Sequence, residues 1–393
     1  MKVPLLDLQA QLNNLENDII SAVTRVVKST RYIQGPEVAH LESEIADYCG
    51  ADHGIGVSSG TDALLVSLMA IGIKPGDSVL ITPYSFFATM GVVLRMGAIP
   101  VFADIDPISF NIDPDKVSEI LKEDTKRKIR AIIPVHLYGQ CAEMEMILGL
   151  ADQYGIPVIE DAAQAIGAHY PMRESESTGY KCAGTMGKCG CFSFFPSKNL
   201  GGIGDGGMVI TDDKEIAEKL VLLRNHGAYP KYFHKMVGGN FRLDPVQAAV
   251  LRVKLPYLDS WHKKRAENAA NYATLFLKTQ LIEKGEVKLP AAVYTNGKEK
   301  NSTGINSHIY NQYVIRVKRR DQLRSWLGRC DIGCEIYYPV PLHKQACLGY
   351  RSEKVSCPEA ERAADETIAL PIYPELTLEM QNYIVEKVVQ FYD

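Results

Sequence analysis

Charge imbalance is nearly absent from this chain. Its 393 residues carry 43 Lys and Arg against 47 Asp and Glu, a formal net charge of −4. The two signs are mixed along the sequence, so nothing reads as a polyanion-binding surface and nucleic acid is not an expected partner. Long apolar runs are also missing. The best stretch, Val79 to Val101, is broken by prolines, Arg95 and polar residues, short of the roughly 20 apolar residues that a membrane span needs. The N-terminus MKVPLLDLQAQLNN lacks an apolar core followed by a small-residue cleavage site. A cytoplasmic protein with no membrane partner is the expectation. Paired CxxC knuckles are lacking among the nine cysteines, although Cys182, Cys189 and Cys191 cluster and Cys330 and Cys334 sit four apart. Reduced thiols and no metal follow from that spacing. There is no Walker A lysine, no GxGxxG in the first strand–helix turn, and no internal repeat.

What is present is an alternation of short apolar runs with helical patterns. His53–Val57, Ser78–Pro83, Pro100–Asp104, Arg130–Val135 and Pro157–Ile159 read as strands, with helix-like segments between them. That order predicts βαβ units around a mostly parallel sheet. Such sheets carry their chemistry on the loops at the carboxyl ends of the strands. Residues 171–190 read as a polar, glycine-rich surface loop, and TNGKEKNSTGINS as another. The character changes after Pro256. Residues 1–256 are expected to form a large domain and 257–393 a smaller α+β one, with the first thirty or so residues a candidate to pack with the smaller.

Several segments could carry chemistry. In CFSFFPSKNLGGIGDGG, Lys198 stands among aromatic and small residues, and five glycines follow within nine positions. Glycines let backbone approach a bulky group, and desolvation favours the neutral amine that Schiff-base chemistry uses. On this segment alone an ordinary surface lysine beside a turn is the commoner reading, since most lysines are simply solvated. In VIEDAAQAIGA, Asp161 ends an apolar run with Gln164 three residues on. The carboxylate could pair with a pyridinium nitrogen or cap a helix. In VSSGTDAL, Gly60 and Thr61 open a helix after a strand, where free N–H groups suit a phosphate. In YSFFATM, Phe86 could stack on a flat ring or fill the core. In GGNFRLDPVQAAVLRVKL, Asn240 and Arg242 precede a helix starting near Asp244, and Arg242 could grip an anion.

Taken in order, SSGTDAL, ITPYSFFAT, PVHLYGQ, IEDAAQAIGA, FSFFPSKNLGGIGDGGM, RNHG, GNFRLDPVQAA and YYPVPLH resemble the DegT/DnrJ/EryC1/StrS family of sugar aminotransferases, from roughly Pro4 to Tyr392. The resemblance implies a fold type I aminotransferase-like large domain and pyridoxal 5'-phosphate as cofactor. It implies that Lys198 forms the internal aldimine and shuttles protons, and that Asp161 faces the pyridine nitrogen. Gln164 would meet the ring oxygen and Phe86 the ring face, with Gly60, Thr61 and Ser193 around the phosphate. Asn240 would serve the neighbouring subunit's phosphate site in a homodimer, and Arg242, Tyr338 and His343 would lie near the sugar. The reaction implied is amino transfer, with glutamate as donor, to a nucleotide-linked keto-sugar. The segments HLYGQ, HIYNQYVIRV and YYPVPLHKQ favour a 3-keto over a 4-keto sugar, and Arg242 would suit a uronic acid. One branch of the family carries histidine in place of the lysine and dehydrates its sugar, so Lys198 favours amino transfer. A non-catalytic sugar-sensing homologue would be expected to have lost Lys198 or Asp161, and both are intact. The loop 171–190 looks long for the family and is placed by the resemblance near the mouth of the site.

Overall fold

The computed structural model describes residues 1–172, 179–294, 306–349 and 355–393. The strands expected from the sequence form, and they close into one sheet. β1 (His53–Val57), β2 (Ser78–Ile81), β3 (Ile99–Phe102), β4 (Ile129–Ile133) and β5 (Ile159–Asp161) each follow or precede a helix. The hairpin β6 (His169–Pro171) and β7 (Tyr180–Cys182) comes next, then β8 (Cys189–Ser193) and β9 (Gly207–Thr211). The hydrogen-bonded order is β3-β2-β4 and β1-β9-β8-β5. Parallel bridges Ile132–Val158 and Val135–Asp161 join β4 to β5 and make the two sets continuous. All neighbours within this sheet pair in parallel except at β9, which runs against both β8 and β1. This is the mostly parallel α/β sheet that the order of segments predicts.

The sheet is covered on both faces. The helix Gly60–Ala70 is buried along almost its whole length, so its apolar residues run continuously instead of forming a stripe. A second core forms around the antiparallel strands β10 (Val287–Lys288), β11 (Tyr313–Val317) and β12 (Thr367–Leu370). The helix Leu258–Leu277 spans both cores. Its Leu258 and Trp261 pack with the first, and its Ala269, Tyr272 and Phe276 with the second. The chain thus passes from one core toward the other within this helix.

Two sequence expectations change here. Only the extreme N-terminus joins the C-terminal unit: Val3 bridges Ile332, and the Gly333 N–H donates to the Val3 carbonyl at 2.8 Å. The helix Glu16–Ser29 instead buries Ala22 and Val26 against Ala249 of the helix Pro245–Lys254. The described part of residues 171–190 is not a surface loop. It contains β7 and the start of β8, and Cys182 and Cys189 are buried in the core; residues 173–178 of that segment, and 295–305 of the second expected loop, lie outside the described residues. All nine cysteines are free thiols. Among the described residues, no His, Cys, Asp or Glu cluster could hold a metal, and no helix is long and apolar enough to cross a membrane.

Candidate active site

The loops that leave the carboxyl ends of β1, β2, β4, β5 and β8 converge, as parallel sheets of this kind require. Two glycines bring the phosphate-type segment together. A Cβ on Gly60 would stand 2.6 Å from the Ser193 Cβ, and one on Gly207 would stand 2.4 Å from the Ser59 carbonyl carbon. The turn after β1, the end of β8 and the start of β9 therefore touch. Ser58 and Ser59 donate their hydroxyls to the Asp62 carboxylate, at 2.6 and 3.1 Å. Their protons are committed within the protein. Ser193 Oγ accepts from the Phe195 N–H at 3.4 Å, which leaves its proton available. Helix geometry leaves the amides of Gly60 and Thr61 without an intrahelical acceptor. Gly60, Thr61 and Ser193 are thus the donors this cradle offers an anion. Gly207→Ala is expected to lower stability by about 1–3 kcal/mol, because backbone meets backbone there and cannot yield; a denaturant midpoint equal to wild type would contradict this packing.

Asp161 ends β5 and is 5% exposed. Burial pushes its carboxyl above the usual carboxylate range. Thr89 Oγ1 donates to its Oδ2 at 2.8 Å and the Ala163 N–H to its Oδ1 at 3.2 Å. Both donors, with the Lys198 charge, oppose that rise and favour the ionised form. Lys198 is half-buried, and desolvation brings its amine down to about 8, against the opposing pull of Asp161. An amine in that range is substantially neutral in mildly alkaline water.

Gln164 is held at both ends. Its Oε1 accepts from the Tyr138 N–H at 2.7 Å, and its Nε2 donates to the Tyr338 hydroxyl at 3.1 Å. The Tyr338 ring lies 6.2 Å from that of Phe86. Phe86 is 58% exposed although it follows a fully buried strand, and its ring is suited to a flat partner above it. Asp161, Lys198, Gln164, Phe86 and Tyr338 thus form one cluster, beside the cradle of Gly60, Thr61 and Ser193.

Arg242 bridges Val57, the last residue of β1, and donates from Nη1 to Asn225 Oδ1 at 2.8 Å. Its Nε is buried without a partner. Asn240, two residues earlier, is exposed on the same edge. His343 is not brought to the cluster. Its ring is fully buried, pairs with Glu361 at 2.9 Å and lies 6.0 Å from Phe102, which makes it a support for its own segment. Sequence reasoning passed over Thr89, though it stands three residues after Phe86 and so returns toward the same face. It also passed over Glu160 beside Asp161. Glu160 points to the other side of β5, pairs with buried His136 at 2.8 Å and accepts amides from Gly184 and Met186 at 2.7 and 2.6 Å.

Residues 13–389 match the model of the DegT/DnrJ/EryC1/StrS aminotransferase family. The chain is 47% identical over its full length to a "pleiotropic regulatory protein" of Geobacillus stearothermophilus, 99% of which is covered. It is 39% identical over 95% of its length, and 94% of the relative's, to a UDP-N-acetyl-3-dehydro-alpha-D-glucosamine 3-aminotransferase of Acidithiobacillus ferrooxidans. Among solved structures it resembles S. venezuelae DesV in complex with a ketimine intermediate, with a TM-score of 0.88, 38% identity, and 100% and 99% of the two chains covered.

Proposed function

The chain belongs to the DegT/DnrJ/EryC1/StrS aminotransferase family, whose members use pyridoxal phosphate, and from that premise we propose that it transfers an amino group from glutamate to the 3-keto carbon of a nucleotide-linked sugar. The observation that carries this is the pairing of a buried carboxylate, Asp161, with an amine of lowered basicity, Lys198. The 3-keto preference is supported by the Acidithiobacillus relative, named a 3-aminotransferase. A relative named as regulatory raises a sensing role as the second reading; intact Lys198 and Asp161 favour the enzyme.

The site fits the cofactor's chemistry. Gly60, Thr61 and Ser193 would hold the phosphate, Phe86 would cover one ring face, Asp161 would meet the ring nitrogen and Gln164 the ring oxygen. When bound, the cofactor supplies an aldehyde that condenses with amines and a ring that draws electrons from the adjoining carbon. The protein does the rest. Nζ of Lys198, low enough in basicity to lose its proton readily, takes up and returns a proton at the reacting carbon. Asp161 would set its carboxylate where the ring nitrogen's proton would sit, its oxygens held in place by Thr89 and Ala163, both of which favour the ionised form. Gln164, pinned by Tyr138 and Tyr338, fixes the tilt of whatever it touches. Arg242, with its unpartnered buried Nε, is placed to hold an anionic group of the sugar or donor. The test is the first half-reaction: enzyme and glutamate without sugar should release 2-oxoglutarate in one equivalent per site. No release from any amino acid donor would leave the dehydratase or sensing reading.

The active unit we propose is a homodimer. Tyr229, Tyr232, Phe233 and Val237 are each at least 66% exposed, in a turn directly before Asn240. Such a patch on an isolated chain marks an interaction surface, and a second copy would bring Asn240 to its partner's cradle. Mixing Lys198→Ala with Asn240→Ala protein tests this. If Asn240 serves across the interface, random assortment restores roughly a quarter of wild-type activity; if it serves its own chain, the mixture stays inactive. The nine free thiols suit a reducing compartment, which supports a cytoplasmic location.

A further inference from the structure

We propose that the buried amide pair Asn199–Asn311 is a positioning device, through which the C-terminal unit holds the loop that carries Lys198. The inference rests on reading Lys198 as the reactive amine. Asn199 directly follows Lys198 and is 4% exposed; Asn311 lies just before β11 and is 6% exposed. Asn311 Nδ2 donates to Asn199 Oδ1 at 2.7 Å, and Asn199 Nδ2 donates to the Ile309 carbonyl at 3.2 Å.

The same short segment also grips the loop after β4. The Ile309 N–H donates to the Gly139 carbonyl and the Asn311 N–H to the Tyr138 carbonyl, both at 2.9 Å. Tyr138 in turn donates its own N–H to Gln164. Gly139, at φ +101°, leaves no space for a side chain: a Cβ would meet Ile309 Cγ1 at 2.7 Å. From the other side, Arg265 Nη1 donates to the Tyr310 carbonyl at 3.0 Å and the Ile372 carbonyl at 2.9 Å. Residues 308–311 therefore tie the lysine loop, the Gln164 loop and the second core into one hydrogen-bonded circuit.

Stability alone does not account for the pair. Asn311 Oδ1 is buried without a donor, a cost that an apolar side chain of similar shape would avoid. What two amides provide, and an apolar contact does not, is a directional link between specific atoms.

The consequence falls on Lys198. Its amine is desolvated only while its loop stays seated. The Asp161 carboxylate acts on it directly. Flanking elements hold Lys254, on the Gly201 carbonyl at 2.7 Å, and Arg265 in fixed places. Unseating the loop admits water to Nζ and returns its basicity toward that of an ordinary lysine.

The experiment uses the full-length, cofactor-free protein. Acetylation of Lys198 by acetic anhydride is followed by peptide mass spectrometry across pH. Wild type should give a midpoint near about 8. Asn311→Ala should raise it by about one unit, a tenfold change in the proton equilibrium. Asn199→Ala should do the same, and the double variant no more than either single one. A pair with only a structural role would lower Tm and leave the midpoint unmoved, which overturns the proposal. If one variant fails to fold, the other decides; if neither folds, the pair is a stability element and the proposal falls. A visible cofactor band that survives in Lys198→Ala would instead sink the reading of Lys198 itself, whereas a Lys198-dependent band with an unmoved midpoint sinks the clamp alone.

Discussion

Lys198→Ala abolishes amino transfer, with an expected loss of at least about 10⁴-fold, because one side chain supplies both the nucleophile and the proton carrier. The variant should fold, since Thr89 and Ala163 still hold the buried Asp161 carboxylate once the amine is gone. Its absorbance after cofactor addition should lack the band of the lysine-bound form. The wild-type enzyme gives the companion result. Only the neutral amine captures an aldehyde, so the rate of cofactor capture should rise about tenfold per pH unit below the Lys198 midpoint of about 8, then level off above it. The sign follows from the cause: burial disfavours the cation, and raising pH removes it. A capture rate that goes on climbing tenfold per unit from pH 8 to about pH 10 would mean that the amine is an ordinary exposed lysine.

Asp161→Asn should cost about 10²–10³-fold in kcat, the scale on which removal of one preorganised electrostatic partner acts. The substitution keeps size, and its one oxygen can still accept from the Ala163 N–H while its NH2 donates to the Thr89 hydroxyl oxygen, so the fold should survive. What is lost is the negative charge. The same variant makes a second prediction with the opposite sign to that of Asn311→Ala. Asp161 raises the basicity of Lys198, so its neutralisation should move the lysine midpoint below about 8, where loosening the loop moves it above. Unchanged kcat in Asp161→Asn would remove Asp161 from the mechanism, whatever the midpoint does.

What the sequence makes legible depends on neighbours along the chain. Asp161 ends a short apolar run and Gly60 and Thr61 open a helix, and period alone places such residues at the carboxyl edge of a parallel sheet. What stayed hidden depends on pairs far apart in sequence. The apolar stripe of Glu16–Ser29 announces that the helix has a partner; that the partner is Ala249 and not the C-terminal unit is a tertiary fact. Residues 171–190 looked polar and loose, yet the buried Glu160 carboxylate collects amides from Gly184 and Met186 and draws that stretch inward. His343 lies in a segment that borders the site, and only the placement of Glu361 and Phe102 turns its ring away. The contact of Gly60 with Ser193 is equally silent in the sequence, where a glycine after two serines reads first as a turn.

The reversal of β9 has a consequence for how such a protein can change. Because β9 runs against β8, the chain leaves Ser193, passes through Lys198 and returns at Gly207 to the same end of the sheet. Ser193, Lys198 and Gly207 thus belong to one closed loop of neighbouring residues. The entropy of bringing its ends together is small and local. Their spacing is inherited from a hairpin, not negotiated between distant parts of the molecule. Arg242 and Tyr338 come from elsewhere in the chain. On the proposed reading, a lineage can therefore change Arg242 and Tyr338 while the loop that carries Lys198 is copied intact.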